Sequence, residues 1–398
     1  MIMTETTFIP FHRPSIGSEE IDAVNQVLTS RWLTTGPVAL EFEKEFARYV
    51  GCKHALALNS GTAALQLALR AIGLGPGDEV LAPTYTFTAT AEVVTYFGGK
   101  PVLCDSLPGG FNIDPDEVER RITPRTRALI PVHIAGECCQ MDRLHALARR
   151  HGLHVIEDAA HALPVDYQGK RIGAISEFTA FSFYATKTLT TGEGGMLTTN
   201  DDGYAQQASM MRLHGIGGDA WKRYSRTGSW YYEVQEAGYK LNLCDLLAAL
   251  GRVQLRRCDD FWKARCQIAA AYNQAFSQIE ELQLPPVGEE ATQHAWHLYI
   301  LRLRDETLSI DREQFIEELK AAGIGTSVHF IPLHLHPYYA RTYGYRQHDF
   351  PHAEDAYSRC FSLPIYPDLS AAEMERVIQS VQQVVQANRK RKLVSCGS

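Results

Sequence analysis

Three polar features of the sequence each follow a short apolar segment: the run Ser60-Gly61-Thr62, the acid Asp158 and the base Lys187. Small hydroxyl residues that open a helix present backbone N–H groups to an anion such as a phosphate. A buried carboxylate is stable only beside a cation or several hydrogen-bond donors, and a protonated pyridine nitrogen is such a partner. A lysine removed from water has a lowered pKa, which makes its amine a nucleophile and a proton carrier.

Each feature also has a plainer interpretation. The run at 60–62 can be an ordinary helix N-cap, Asp158 can cap the next turn, and Lys187 can be a solvated surface side chain. The sequence contains neither G-x-x-x-x-G-K-[ST] nor a strand-linked G-x-G-x-x-G, which argues against the phosphates of ATP or NAD. A phosphate cup, an acid for a ring nitrogen and an amine for a covalent bond together predict a site for pyridoxal phosphate.

The elements that must position these groups alternate along the first half of the chain. Apolar, β-prone runs lie at 55–58, 79–82, 101–104, 128–132, 154–156, 178–183 and 195–199, helical patterns follow several of them, and a loop at 186–194 joins the last two. This order predicts a mostly parallel sheet with helices on both faces. Ligands bind at the carboxyl ends of the strands in such sheets, so the three features are expected on one rim.

The pattern changes after about residue 245. A long helix is predicted over 245–278, followed by a strand at 297–303, a helix at 311–322, a strand at 325–330 and a helix at 370–387. We therefore predict a large α/β domain over 1–245, and a connecting helix with a small α+β domain over 246–398.

Several motifs, in order along nearly the whole chain, resemble the DegT/DnrJ/EryC1/StrS family of nucleotide-sugar aminotransferases. The resemblance runs from about residue 10 to 385 and is carried by the runs at 60–65, 155–161, 181–187, 192–195 and 238–243. It implies a fold-type I, pyridoxal-phosphate-dependent α/β enzyme with a small C-terminal α+β domain.

The resemblance also implies roles for individual residues. Lys187 would bind the cofactor covalently and Asp158 would bond the pyridine nitrogen, while Asn242 would reach the phosphate from the neighbouring subunit of a homodimer. The other implied cofactor contacts are the phosphate-binding Ser60, Gly61, Thr62 and Ser182, the ring-stacking Phe87, and His161 near the ring hydroxyl.

The expected reaction takes an amino group from L-glutamate, leaves pyridoxamine phosphate, and then aminates a ketosugar. The segments 214–221 and 295–298 most resemble enzymes that act at C4 of a UDP-linked 4-keto sugar, such as those making 4-amino-4-deoxy-L-arabinose, and dTDP-linked substrates stay open. Alternatives are a 3-keto sugar aminotransferase and a non-catalytic relative; a sugar 3-dehydratase would carry histidine in place of Lys187. Candidate sugar or nucleotide contacts are Trp221, Arg223, His329 and His334, although Trp221 can equally pack under a loop.

Composition excludes several other classes. The net charge of the 398 residues is 39 − 46 = −7, which argues against a nucleic-acid surface or a polybasic membrane patch. Nine cysteines include no C-x-x-C pair, and the histidine pairs lack a third ligand at a suitable spacing, so no metal is expected. We see neither a secretory signal nor an apolar run long enough to span a membrane, and we expect a cytoplasmic location.

Overall fold

A seven-stranded sheet organises the first half of the chain, of which the computed structural model describes residues 8–217, 230–286 and 292–390. Its strands are β1 His54–Leu58, β2 Glu79–Pro83, β3 Lys100–Cys104, β4 Thr126–Leu129, β5 His154–Asp158, β8 Phe178–Ser182 and β9 Gly195–Thr199, and a small hairpin of β6 Asp166–Tyr167 and β7 Lys170–Arg171 lies between β5 and β8 in the chain. The spatial order of the strands in the sheet is β1-β9-β8-β5-β4-β2-β3.

Strand direction gathers the loops that carry the predicted site. Strands β3, β2, β4, β5 and β8 pair in parallel, whereas β9 is antiparallel to both β8 and β1. Every strand of this sheet except β9 therefore points its carboxyl end to the same edge, and β9 begins there. The prediction of a mostly parallel sheet is confirmed.

Helices cover both faces of this sheet, as the buried, apolar strands require. They are α1 Ser18–Ser30, α2 Pro37–Val50, α3 Gly61–Ala71, α4 Ala89–Thr95, α5 Pro115–Arg121, α6 Met141–His151 and α7 Asp202–Met211. Alternate strand residues face opposite sides, so Leu81 packs into the core with α2 and α6, whereas Val80 packs into the core with α3, α4 and α7.

The second half of the chain forms a smaller antiparallel sheet, β10-β11-β12, with its own helices. Ile268, Tyr272, Leu301 and Phe315 belong to its buried core. The elements are α8 Asp245–Phe276, β10 Leu282–Gln283, β11 Tyr299–Leu303, α9 Arg312–Ala321, α10 Pro337–Tyr343, α11 Pro351–Arg359, β12 Cys360–Leu363 and α12 Ala371–Asn388. Helix α8 contributes Leu255 to the core of the first half and Tyr272 to that of the second, and the domain boundary at 245 stays a prediction.

The predicted strand at 325–330 is wrong. This segment makes only single bridges, at Ser327 to Ser362 and just before it at Ile324 to Ile9. Gly325 lies against the backbone of residues 9–11, where an added Cβ would meet the Phe11 nitrogen at 2.7 Å, and this close approach replaces regular pairing. The strands that pair with β11 are instead β10 and β12, neither of which was predicted from the sequence.

Among the described residues, no helix combines the length and the apolarity needed to cross a bilayer.

Candidate active site

A cavity of about 520 Å³ opens at the edge where the parallel strands of the large sheet end. Residues that come from distant parts of the sequence meet on its walls. The predicted residues that line it are Ser60, Gly61, Thr62, Phe87, Asp158, His161, Ser182, Lys187 and His329.

The start of α3 forms one wall of the cavity. Ser60 is the N-cap, and its hydroxyl accepts a hydrogen bond from the Ala63 N–H at 3.0 Å. The plainer N-cap interpretation therefore holds for this hydroxyl, but the N–H groups of the first turn still have no partner within the helix. An added Cβ at Gly61 would lie 3.0 Å from the Ser182 Cβ, so glycine is what lets this turn approach β8. The geometry suits an anion such as a phosphate.

Asp158 ends β5 and is buried beneath the cavity. One carboxylate oxygen, Oδ2, accepts from the Thr90 hydroxyl at 2.9 Å, and the other, Oδ1, accepts from the Ala160 N–H at 3.1 Å. Burial raises the pKa of this carboxyl, while those two hydrogen bonds and the positive charge of Lys187 oppose the rise. A protonated ring nitrogen is a partner that stabilises the ionised form.

Lys187 lies in the loop that joins β8 to β9. The Phe183 N–H donates to the Gly194 carbonyl at 2.8 Å, and the Thr191 N–H donates to the Phe183 carbonyl at 3.0 Å, which closes the loop at its base. Burial lowers the pKa of Lys187 to about 8, and the charge of Asp158 acts in the opposite direction. Near neutral pH, a sizeable fraction of this amine is therefore unprotonated and nucleophilic.

The histidines that line the cavity are neutral at pH 7. Burial lowers the pKa of His12 and of His329 to about 4, and it places the pKa of His161 and His297 well below the usual value. His161 Nδ1 accepts a hydrogen bond from the Ala135 N–H at 3.3 Å, so its proton resides on Nε2. The ring of His297 packs against that of His161, with a centroid separation of 4.3 Å.

Some lining residues escaped the sequence analysis, among them Phe11, His12, His297 and Phe330. Phe330 lies 6.2 Å from Phe87, centroid to centroid, and stacks on His161. These lining residues do not belong to a motif whose spacing would have marked them as site residues. Tertiary structure alone brings the N-terminal segment and the second half of the chain over the rim.

Comparison with known proteins identifies the kind of protein to which this site belongs. The family model of the DegT/DnrJ/EryC1/StrS aminotransferases matches residues 14–382. The chain belongs to this family.

Individual relatives agree with that assignment. The chain is 50% identical to the spore coat polysaccharide biosynthesis protein SpsC of Bacillus subtilis, over 97% of this chain and 99% of SpsC. The PLP form of Spr1654 from Streptococcus pneumoniae is 34% identical and superposes with a TM-score of 0.89, covering 96% of this chain and 99% of the other. Helicobacter pylori PseC, an aminotransferase of pseudoaminic acid biosynthesis, is 27% identical, covers 96% and 100% of the two chains and has a TM-score of 0.89.

The DegT/DnrJ/EryC1/StrS proteins are sugar aminotransferases that depend on pyridoxal phosphate, and the fold is that of the fold-type I enzymes. The cavity fits this cofactor. A close glycine cradle at Gly61, a buried carboxylate with room for one more donor and a buried amine lie on its walls. Phe87, which is 59% exposed, is available to contact a flat ring.

Two predicted residues lie elsewhere in this family member. Asn242 bridges to Leu58 beside a separate cavity of about 380 Å³, where its amide donates to the Thr35 hydroxyl. His334 is buried, with Nδ1 2.8 Å from the Thr84 hydroxyl and Nε2 3.0 Å from Glu354. Both ring nitrogens of His334 are thus engaged within the protein, and we correct its predicted sugar contact to a packing role. Trp221 and Arg223 fall outside the described residues.

Proposed function

We propose that this protein transfers the amino group of L-glutamate to a nucleotide-linked 4-keto sugar, bound to UDP or dTDP. The product would be a 4-amino-deoxy sugar nucleotide for glycan, lipopolysaccharide or secondary-metabolite biosynthesis. The observation that carries the proposal is the meeting of Lys187 and Asp158 in one cavity of a sugar aminotransferase. The relation to SpsC, a polysaccharide biosynthesis protein, supports a carbohydrate product.

In this proposal the chain binds and orients the cofactor with residues at the carboxyl ends of three strands, β1, β5 and β8. Gly61, Thr62 and Ser182, together with Ser60, hold the phosphate at the start of α3. The Asp158 carboxylate would accept a hydrogen bond from the protonated ring nitrogen, and His161 Nε2–H would donate a hydrogen bond to the ring oxygen. When bound, pyridoxal phosphate supplies the electron sink that makes a neighbouring C–H bond acidic.

Lys187 has two tasks. Its unprotonated amine, available because the pKa is about 8, would attach to the cofactor at the aldehyde carbon, and the aldehyde oxygen would leave as water. After the donor amine has taken its place, Lys187 Nζ would be a base of suitable strength to carry a proton between the substrate carbon and the cofactor carbon. Buried neutral histidines around it keep additional positive charge away and offer hydrogen bonds to sugar hydroxyls, a role that we propose for His329.

We propose that the active site is shared between two subunits of a homodimer. Among the described lining residues Lys187 is the single lysine or arginine, although both substrates are anionic and need cationic or N–H partners. Asn242 is proposed to reach the phosphate of the partner's cofactor, and Arg223 and Trp221 stay proposed sugar or nucleotide contacts. Trp230, Tyr231 and Val234 are at least 60% exposed, which supports a covering subunit. A cytoplasmic location completes the proposal, because nucleotide sugars are made there.

The test is to incubate the purified protein with pyridoxal phosphate, L-glutamate and matched 4-keto and 3-keto sugars linked to UDP or dTDP. The expected product is an amino sugar nucleotide from a 4-keto substrate, detected by mass. Product from the 3-keto set alone would replace the C4 assignment with C3. Uptake of cofactor without conversion of glutamate to 2-oxoglutarate would favour a non-catalytic relative and would refute the proposal.

A further inference from the structure

Two threonine hydroxyls form a chain that ends on the carboxylate of Asp158. Thr90 Oγ1 donates to Asp158 Oδ2 at 2.9 Å, and Thr86 Oγ1 lies 2.9 Å from Thr90 Oγ1. Because a carboxylate oxygen only accepts, the Thr90 proton is committed to Asp158, and Thr86 must be the donor to Thr90. Thr86 therefore donates to Thr90, and Thr90 donates to Asp158.

The two threonines lie where packing alone would favour apolar side chains. Thr90 is 0% exposed and Thr86 is 2% exposed, and a buried hydroxyl is costly unless it is paired. Valine has nearly the same shape as threonine and would fill the Thr90 position without that cost. Thr86 lines the cavity, whereas Thr90 is not among the lining residues and can affect a bound group only through its hydrogen-bond partners, Asp158 and Thr86.

We propose that Thr90, backed by Thr86, is a positioning residue that holds Asp158 ionised and oriented toward the cofactor ring nitrogen. This inference rests on the proposed role of Asp158. Burial disfavours the ionised form of Asp158, whereas the hydrogen bonds from the Ala160 N–H and the Thr90 hydroxyl and the charge of Lys187 favour it. Hydrogen bonds in a buried chain polarise one another, so the Thr86 link strengthens the bond that Thr90 makes.

The test separates support of the ring nitrogen from general support of the fold. Apoprotein is titrated with pyridoxal phosphate and with its 1-deaza analogue, in which a C–H group replaces the ring nitrogen. Thr90→Val is expected to weaken pyridoxal phosphate binding about tenfold, the usual worth of a hydrogen bond to a charged group, and to leave binding of the analogue unchanged. Thr90→Ser restores the hydroxyl and the affinity. Thr86→Val, which keeps the Thr90 bond, should give a smaller loss that is selective in the same way.

Two further variants make the outcome decisive. Thr179→Val is the matched control, because the buried Thr179 hydroxyl donates to the Glu157 carboxylate at 3.0 Å, and its loss should not distinguish the two ligands. If Asp158 contacts the ring nitrogen, Asp158→Asn must weaken binding of pyridoxal phosphate more than binding of the 1-deaza analogue. If this variant affects both ligands equally, the proposed role of Asp158 fails. If Asp158→Asn is selective while Thr90→Val and Thr86→Val weaken both ligands equally, the threonines are merely structural and the inference is overturned.

Discussion

The altered basicity of Lys187 can be measured without any substrate. With a pKa of about 8, about 24% of this amine is unprotonated at pH 7.5, against about 0.1% for a lysine at the ordinary value of 10.5. The pool of reactive amine is thus about 240 times larger. This difference follows from burial, because removal from water disfavours the charged form.

The assay is competitive labelling of the apoprotein with trace acetic anhydride from pH 6 to 11, followed by digestion and mass spectrometry. Lys44 and Lys320 serve as internal references, because their side chains are 69% and 67% exposed. Labelling of Lys187 is expected to reach its half-maximum near pH 8, below that of the reference lysines. In Asp158→Asn the midpoint should fall further, because the negative charge that favours the ammonium form is gone. A Lys187 midpoint that coincides with the references would refute the reasoning.

Three further predictions follow from the same geometry. Between about pH 8 and 10.5 Lys187 keeps its proton in the unfolded chain but has lost it in the folded protein, so the stability of the parent rises with pH in this window. The apo form of Lys187→Met should therefore melt at a higher temperature than the parent at pH 7, and this difference should disappear toward pH 10.5. A difference in melting temperature that stays constant with pH would contradict the linkage. Gly195→Ala would place a Cβ 2.4 Å from the Ser60 carbonyl carbon, and it should lower the free energy of unfolding by about 1–3 kcal/mol and weaken cofactor binding. The control is Gly75→Ala, whose Cβ would have no neighbour closer than 4.0 Å. In denaturant and cofactor titrations this control should change neither stability nor cofactor affinity. In steady-state kinetics His329→Gln should raise the sugar KM, while His334→Gln should lower the melting temperature and leave that KM unchanged; the reverse pattern would restore His334 as a sugar contact.

Local sequence determines the part of the site that lies on the large sheet. The sequence predicted Ser60, Asp158 and Lys187 on one rim because each follows a strand, and the parallel pairing of β5 with β8 brings two of those strand ends together. To place these residues on one edge of the sheet, only the direction of the strands and the position of the turn after each strand are needed. Both are regular in parallel α/β sheets.

The remainder of the site depends on long-range packing. Residues 325–330 have the composition of a strand, yet the approach of Gly325 to the N-terminal backbone leaves Ser327, His329 and Phe330 free to line the cavity. His334 has the same side chain as His329 but is held by Thr84 and Glu354, which are distant in sequence. No spacing rule separates these two histidines, because burial and partners decide their roles.

The proposed role of Lys187 and Asp158 is to make this cavity the site of amino-group transfer from L-glutamate. The most direct measurement is a single-turnover reaction of the protein loaded with pyridoxal phosphate, without a sugar acceptor, in which 2-oxoglutarate is quantified. We predict one equivalent of 2-oxoglutarate per bound cofactor for the parent, and none for a folded, cofactor-loaded Lys187→Ala variant. Equal yields from the parent and the variant, or no 2-oxoglutarate from the parent, would contradict the claim.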